Sequence, residues 1–142
     1  MIWKETLMIE RAVGVIIKNE KVLLFHRFNQ GKEYWVFPGG GIEEGETPEI
    51  AVDREIDEEL TLKVKQKKFI FKVFNVGRWE YHFLITEYEG EPKLGGPELE
   101  YSSENQQFIP TWVPIEEMKN LEPFYPAEGR EKLLEIYSKK EL

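Results

Sequence analysis

Cysteine is absent from the 142 residues, which excludes disulfide frameworks, thiolate metal sites and cysteine nucleophiles. The longest fully apolar runs, such as Val15-Ile16-Ile17, fall far short of the ~18 residues that a spanning helix needs. Met1-Ile2-Trp3-Lys4-Glu5 lacks the continuous apolar stretch of a signal peptide. The expectation is a cytoplasmic protein without a membrane partner. Histidine occurs only at His26 and His82, and neither has a ligand-like companion, so both read as structural. No internal repeat, low-complexity tract or linker divides the chain, and residues 1–142 read as a single domain.

What the chain has in excess is acid, and that acid is local. The formal charge is -8. Residues 43–59 hold nine acids (Glu43, Glu44, Glu46, Glu49, Asp53, Glu55, Asp57, Glu58 and Glu59) against one base, Arg54. The imbalance of the whole chain therefore sits in that segment. A nucleic-acid backbone is a poor partner for it, and a divalent cation a good one.

Met8 to Ile17 and Lys21 to Phe28 are apolar, β-branched runs around Lys18-Asn19-Glu20, which reads as a hairpin. Tyr34 to Phe37 is a short strand stopped by Pro38, and Gly39-Gly40-Gly41 follows. Thr47-Pro48 starts a helix: the hydroxyl can cap a free amide, and proline at the first helical position loses no hydrogen bond. This helix is expected to run to about Leu60. Lys63, Lys65 and Lys67 then read as a blunted sheet edge. Strands are expected over Phe69 to Val76, Arg78 to Tyr88 and Phe108 to Val113. Glu89 to Gln106 is a long polar loop, a length usually tied to function or mobility. Ile115 to Asn120 and Pro126 to Lys139 read as helices. Mixed strands with a few helices make the fold α/β or α+β.

On a helical wheel, Val52, Ile56 and Leu60 form a narrow stripe that must face the core. Glu55, Glu58 and Glu59 form an arc beside it, with Ala51 leaving room among them, while Asp53, Asp57 and Arg54 take the outer face. Each like-charge neighbour at i,i+3 or i,i+4 costs roughly 0.2–0.5 kcal/mol. Glu58 and Glu59 also stand in the final turn, where the helix dipole adds a further ~0.3–1 kcal/mol each. Helix stability alone would not select this face. Either it is a solvated acidic surface, or it supplies oxygen ligands for Mg²⁺ or Mn²⁺. Three consecutive glycines before it let the backbone approach a ligand closely.

Gly40, five residues, Glu46, seven residues, then Arg54-Glu55-Ile56-Asp57-Glu58-Glu59-Leu60-Thr61-Leu62 resembles the Nudix box, G-x5-E-x7-R-E-U-x-E-E-x-G-U, where U is bulky and aliphatic. Trp35-Val36-Phe37-Pro38-Gly39-Gly40 resembles the usual run into that box. One position departs: Thr61 stands where the family has glycine. That glycine would end the helix in a left-handed conformation, which a β-branched residue adopts poorly.

The resemblance implies an α/β/α sandwich with a mixed sheet and a metal-dependent hydrolase of a nucleoside diphosphate linked to another group. Carried onto this chain, Glu55, Glu58 and Glu59 would ligate Mg²⁺ or Mn²⁺, with the Gly39 carbonyl as a further ligand. Arg54 and Glu46 would form the ion pair that fixes the loop to the helix. Glu55 or Glu58 is the first choice of general base, ahead of the loop residues Glu98, Glu100 and Glu104, which otherwise read as solubilising charge. Substrate contacts are expected at Gly40 and Gly41, and also at Arg27, Arg78 and Trp79. Arg27 would meet a phosphate or form a surface ion pair. Trp79 would stack on a base or pack in the core, where Trp35 and Trp112 are expected. Trp79, Tyr81, Phe83 and Ile85 share one strand face, and Glu80, His82, Leu84 and Thr86 the other.

The short chain resembles MutT-like nucleoside triphosphate pyrophosphohydrolases, which release a monophosphate and pyrophosphate. The proline found about fifteen residues after the box in ADP-ribose hydrolases is replaced by Gly77. Sugar-nucleotide and dinucleotide polyphosphate hydrolases are the alternatives within the family, and a non-catalytic nucleotide sensor is the alternative outside catalysis. Homodimers are common among relatives.

Overall fold

A computed structural model describes residues 9–96, 103 and 106–142. Glu98, Glu100 and Glu104, the loop candidates for a general base, lie outside the described residues, as does Met8 at the head of the first expected strand. The described chain runs β1 (Arg11–Val15), β2 (Ile17–Lys18), β3 (Lys21–Asn29), β4 (Lys32–Val36), β5 (Gly39–Gly41), α1 (Pro48–Leu60), β6 (Lys63–Asn75) and β7 (Arg78–Glu89). It continues with β8 (Gln106–Pro114), a 3-10 helix (Ile115–Asn120), β9 (Phe124–Tyr125) and α2 (Ala127–Ser138).

Two sheets form. The first has the order β5-β1-β7-β6; the second has the order β2-β3-β4-β9, with β8 against β3. In the first sheet β1 is antiparallel to β5 and parallel to β7, so the sheet is mixed. Alternation along the strands divides the core between its faces. Ala12, Phe83 and Ile85 pack with Ala51, Val52, Ile56 and Leu60 of α1. Val13, Val15 and Leu84 pack with Leu133 of α2 and with Phe124. The strands are thus sandwiched between helices, the α/β/α arrangement expected.

The hairpin expected from Met8–Ile17 and Lys21–Phe28 is corrected. Only its tip pairs, Ile17 with Val22 and Lys18 with Lys21. The chain changes sheets at Ile16, whose carbonyl still accepts from the Leu23 amide at 2.9 Å. Residues 11–15 instead pair in parallel with β7, a partner more than sixty positions away that local alternation cannot reveal. Gly14 also lets α1 sit close, since a Cβ there would stand 2.7 Å from the Ile56 Cδ1.

The lysine stripe begins a single strand with Phe69–Asn75, interrupted by register shifts. This strand is an edge of its sheet. Its lysines also answer α1: Lys63 meets Asp57 at 2.6 Å and Lys67 meets Asp53 at 3.0 Å. Lys65 pairs with Glu89 at 3.6 Å. The flank of α1 expected to face solvent is therefore turned toward β6 at Asp53 and Asp57.

Candidate active site

α1 starts as its sequence requires, with the Thr47 hydroxyl accepting from the Ile50 amide at 3.2 Å and Pro48 in the first turn. The buried apolar stripe sets the rotation of the helix. Ala51, Val52, Ile56 and Leu60 point inward, and Glu59 is carried in with them, 6% exposed. The opposite flank from Asp53 lies over β5. There the Gly39 amide donates to Glu59 Oε1 at 2.8 Å. A Cβ on Gly40 would stand 2.5 Å from the Glu55 carboxylate, so glycine is required for that carboxylate to rest on the strand.

Arg54 ties these parts together. Its Nε and Nη2 donate to the two oxygens of Glu46 at 2.7 and 2.8 Å, and Nη2 also donates to the Gly41 carbonyl at 3.0 Å. Its Nη1 donates to Glu55 at 2.9 Å and to Glu58 at 3.3 Å. The wheel placed Arg54 on the outer face; its side chain instead folds back over the loop and is only 21% exposed. Two fork-like hydrogen bonds from the guanidinium, aided by the Glu43 amide, hold the Glu46 carboxyl down to about 2. The same contacts, Glu46 first and Glu55 after it, raise the Arg54 pKa still further.

A NUDIX domain pattern matches residues 8–134. The chain belongs to the Nudix family. Among curated relatives, an RNA pyrophosphohydrolase of Vibrio atlanticus is 45% identical over 58 residues, covering 41% of this chain and 34% of that protein. Another, from Vibrio vulnificus, is 35% identical over 80 residues, covering 56% of this chain and 46% of that protein. The chain thus spans about a third to a half of the length of these relatives. Among solved structures, MutT studied from Aliivibrio salmonicida and Vibrio cholerae superposes with a TM-score of 0.69 at 25% identity, covering 90% of this chain and 94% of that one. The ORF135 protein of E. coli shares the fold, with a TM-score of 0.72 at 22% identity over 93% of this chain and 92% of its own.

The Nudix carboxylates differ in their surroundings. Glu59 is buried on Gly39, Glu55 is 13% exposed against Gly40, and Glu58 is 45% exposed. Their chemistry fits a hard divalent cation: three carboxylates lie along one helix flank beside a glycine strand. Among the described residues, however, no three such groups stand close enough to form a ready-made cage. Arg54 bridges Glu55 and Glu58. The Gly39 carbonyl, the fourth ligand that the family resemblance implies, accepts from Arg11 Nη2 at 3.1 Å.

The departure from the Nudix box at Thr61 does not displace the helix end. Thr61 adopts the left-handed conformation, with φ 58° and ψ 34°, and its amide donates to the Asp57 carbonyl. The segment after β7 completes the cap: the Lys93 amide donates to the Leu60 carbonyl and the Gly95 amide to the Glu59 carbonyl, both at 3.0 Å. These donors meet carbonyls that a helix normally leaves unpaired, beneath the two glutamates that the dipole disfavours.

The other expected contacts lie apart. Arg27 follows Leu23 and Phe25 on the α1 side of β3, its guanidinium 3.8 Å from the Phe108 ring centre and 5.4 Å from that of Tyr34. Its Nε is buried without a hydrogen-bond partner. Arg78 and Trp79 begin β7, two strands from the glycine strand β5. Trp79 is 37% exposed, with Phe74 edge-on at 5.1 Å and the Lys72 ammonium 4.4 Å above its ring. His26 stacks on Trp35 at 3.9 Å and meets Glu33 at 2.7 Å. His82 is fully buried, with Nδ1 3.1 Å from the Glu80 carbonyl.

Two residues given no role from the sequence touch this region, Arg11 and Glu80. Glu80 is 1% exposed and accepts from Asn75 Nδ2 at 2.7 Å. Its one signal in the sequence is a charged residue between inward-facing positions of an aromatic strand.

Proposed function

We propose that the chain is a divalent-metal-dependent pyrophosphohydrolase of nucleoside triphosphates, in which water cleaves the anhydride between the α- and β-phosphates to release a monophosphate and pyrophosphate. The observation that carries this reading is the Arg54 hub, which joins Glu46, Glu55, Glu58 and the glycine strand in one charged unit. MutT-like neighbours covering nearly the whole chain support the choice of a small triphosphate.

Glu55, Glu58 and Glu59 would hold Mg²⁺ or Mn²⁺, and the Gly39 carbonyl would join them only through its second lone pair, since Arg11 Nη2 already donates to that oxygen at 3.1 Å. Such an ion supplies charge neutralisation at phosphate oxygens and lowers the pKa of water. The chain does the rest. Arg54 orients Glu55 and Glu58 from one side, and the Gly39 amide orients Glu59 from the other. Glu55 or Glu58 takes the proton from the attacking water, and the greater exposure of Glu58 leaves it freer to reach a substrate. Arg27, whose Nε is buried beside two aromatic rings, would meet a phosphate of the substrate.

The curated relatives that match part of this chain include RNA pyrophosphohydrolases, which favours a 5′-triphosphorylated RNA end as a second substrate class. The deciding experiment measures phosphate or pyrophosphate release with Mg²⁺ from nucleoside triphosphates, sugar nucleotides, dinucleoside polyphosphates and a triphosphorylated RNA oligonucleotide. Glu58→Gln and Glu59→Gln are run beside the wild type, and each is expected to lose at least about tenfold in rate. Turnover that survives both substitutions removes the site assignment. Binding without turnover across the panel favours the sensor.

A further inference from the structure

Two carboxylates are buried among the described residues, Glu59 on α1 and Glu80 on β7. They belong to different elements, yet one polar path joins them. Asn75 Nδ2 donates to Glu80 Oε2 at 2.7 Å, and Glu80 Oε1 stands 3.9 Å from Arg11 Nη1. Arg11 Nη2 donates to the Gly39 carbonyl at 3.1 Å, and the Gly39 amide donates to Glu59 Oε1 at 2.8 Å. Register explains the path, because Arg11 of β1 lies opposite Gly41 of β5 on one side and Glu80 of β7 on the other. Gly39 cannot drift within it. A Cβ at that position would clash with the Ala12 carbonyl oxygen, so the Gly39 backbone is pressed against β1.

Burying Glu80 carries a desolvation cost that an apolar side chain would avoid. Its attraction for Arg11 across 3.9 Å is not a direct hydrogen bond. What the carboxylate does is hold a 28% exposed guanidinium against the glycine strand. We infer that Arg11 is a positioning residue for Glu59: backed by Glu80, it holds the Gly39 carbonyl and with it the Gly39 backbone, whose amide, on the preceding peptide unit, aims the Glu59 carboxylate. The inference rests on the reading of Glu59 as a metal ligand and extends it to residues outside the box. Groups behind a ligand typically change metal affinity by about tenfold or more when removed.

The sign of one substitution separates positioning from charge. Arg11→Met removes a cation from beside a cation site, so by electrostatics alone metal would bind more tightly. If Arg11 aims Glu59, metal binds more weakly instead. Mn²⁺ titration followed by electron paramagnetic resonance on the full chain reads this directly. The expected result is about tenfold weaker Mn²⁺ binding for Arg11→Met and for Glu80→Gln. The metal concentration giving half-maximal hydrolysis should rise in parallel, and the rate should recover at saturating metal. Arg11→Lys should stay weakened, because an ammonium cannot span both acceptors as the guanidinium fork does.

Unchanged or tighter Mn²⁺ binding in Arg11→Met overturns the inference. Should that variant fail to fold, Arg11→Lys, which keeps the charge and loses the fork, decides in its place, and wild-type affinity there overturns it equally. Wild-type chain that binds no Mn²⁺, or Glu59→Gln that binds it undiminished, overturns the metal-site reading itself and this inference with it.

Discussion

Arg54 and Glu46, eight positions apart, meet through two hydrogen bonds of 2.7 and 2.8 Å, and the same guanidinium reaches Glu55 and Glu58. The loop between β5 and α1 is thereby locked to the carboxylate flank. Lysine at position 54 would keep the charge and lose the planar fork. Arg54→Lys is expected to lower kcat/KM by about tenfold or more while the fold persists; an unchanged value in steady-state kinetics would show that the hub does not matter to catalysis. The pH dependence follows from Glu46, whose folded carboxyl lies at about 2 against an ordinary 4.5. A depressed carboxyl contributes stability above its unfolded pKa and loses it as the pH falls through the folded one. Acid melts of Glu46→Gln should therefore fall less steeply than wild type between 4.5 and about 2.

Gly40 and Gly41 make a paired test. A Cβ on Gly40 meets the Glu55 carboxylate at 2.5 Å, whereas one on Gly41 meets only a methyl group of Ile9 at 3.3 Å. Gly40→Ala must displace Glu55, so hydrolysis should drop by about tenfold or more with little change in melting temperature. Gly41→Ala should retain activity. Equal activity in the two variants would count against Glu55 as a working group.

Thr61 holds a left-handed conformation that costs a β-branched residue about 1–2 kcal/mol. Part of this is offset by its hydroxyl, which donates to the Leu60 carbonyl at 2.6 Å. Thr61→Gly restores the residue for which the turn is suited and should stabilise the chain by about 1 kcal/mol in thermal melts. A lower melting temperature would mean that the hydroxyl outweighs the backbone strain.

His82 is enclosed by Phe71, stacked at 4.6 Å, by Phe37 edge-on at 5.6 Å, and by Gly129, where a Cβ would stand 3.0 Å from Nε2. Burial is the main cause of a pKa lowered from 6.5 to about 4, and the Arg11 charge adds to it. The unfolded chain therefore binds the proton first as the pH falls. Stability is complete above 6.5 and declines toward 4, by roughly 3 kcal/mol if the full shift is realised. His82→Asn should be less stable at neutral pH yet flatter across that window in denaturant titrations. A slope equal to the wild type's would remove His82 as its source.

Legibility from the sequence followed distance along the chain. The Thr47-Pro48 start, the inward stripe of Val52, Ile56 and Leu60, and the neighbouring glutamates all lie within one helix, where spacing of three and four residues specifies who shares a face. Spacing grouped Glu55, Glu58 and Glu59, whereas the Arg54–Glu46 pair was implied by the resemblance to the Nudix box, since the wheel alone leaves Arg54 on the outer face. The switch of β1 between sheets could not be read, since a period of two is the same whichever neighbour a strand takes.

Residue spacing by itself determined that Glu55, Glu58 and Glu59 share a helix flank beside the apolar stripe, because helix geometry converts sequence interval into angle. Only the tertiary structure decided that this flank lies over the glycine strand, that Asp53 and Asp57 face the β6 lysines, that Trp79 lies two strands from β5, and that Arg11 joins Glu80 to Gly39. The lysine pairs depend on how β6 folds back along the helix, and the others on the order of strands within a sheet. Pairing register and core packing settle them together, and neither is written in any short window of sequence.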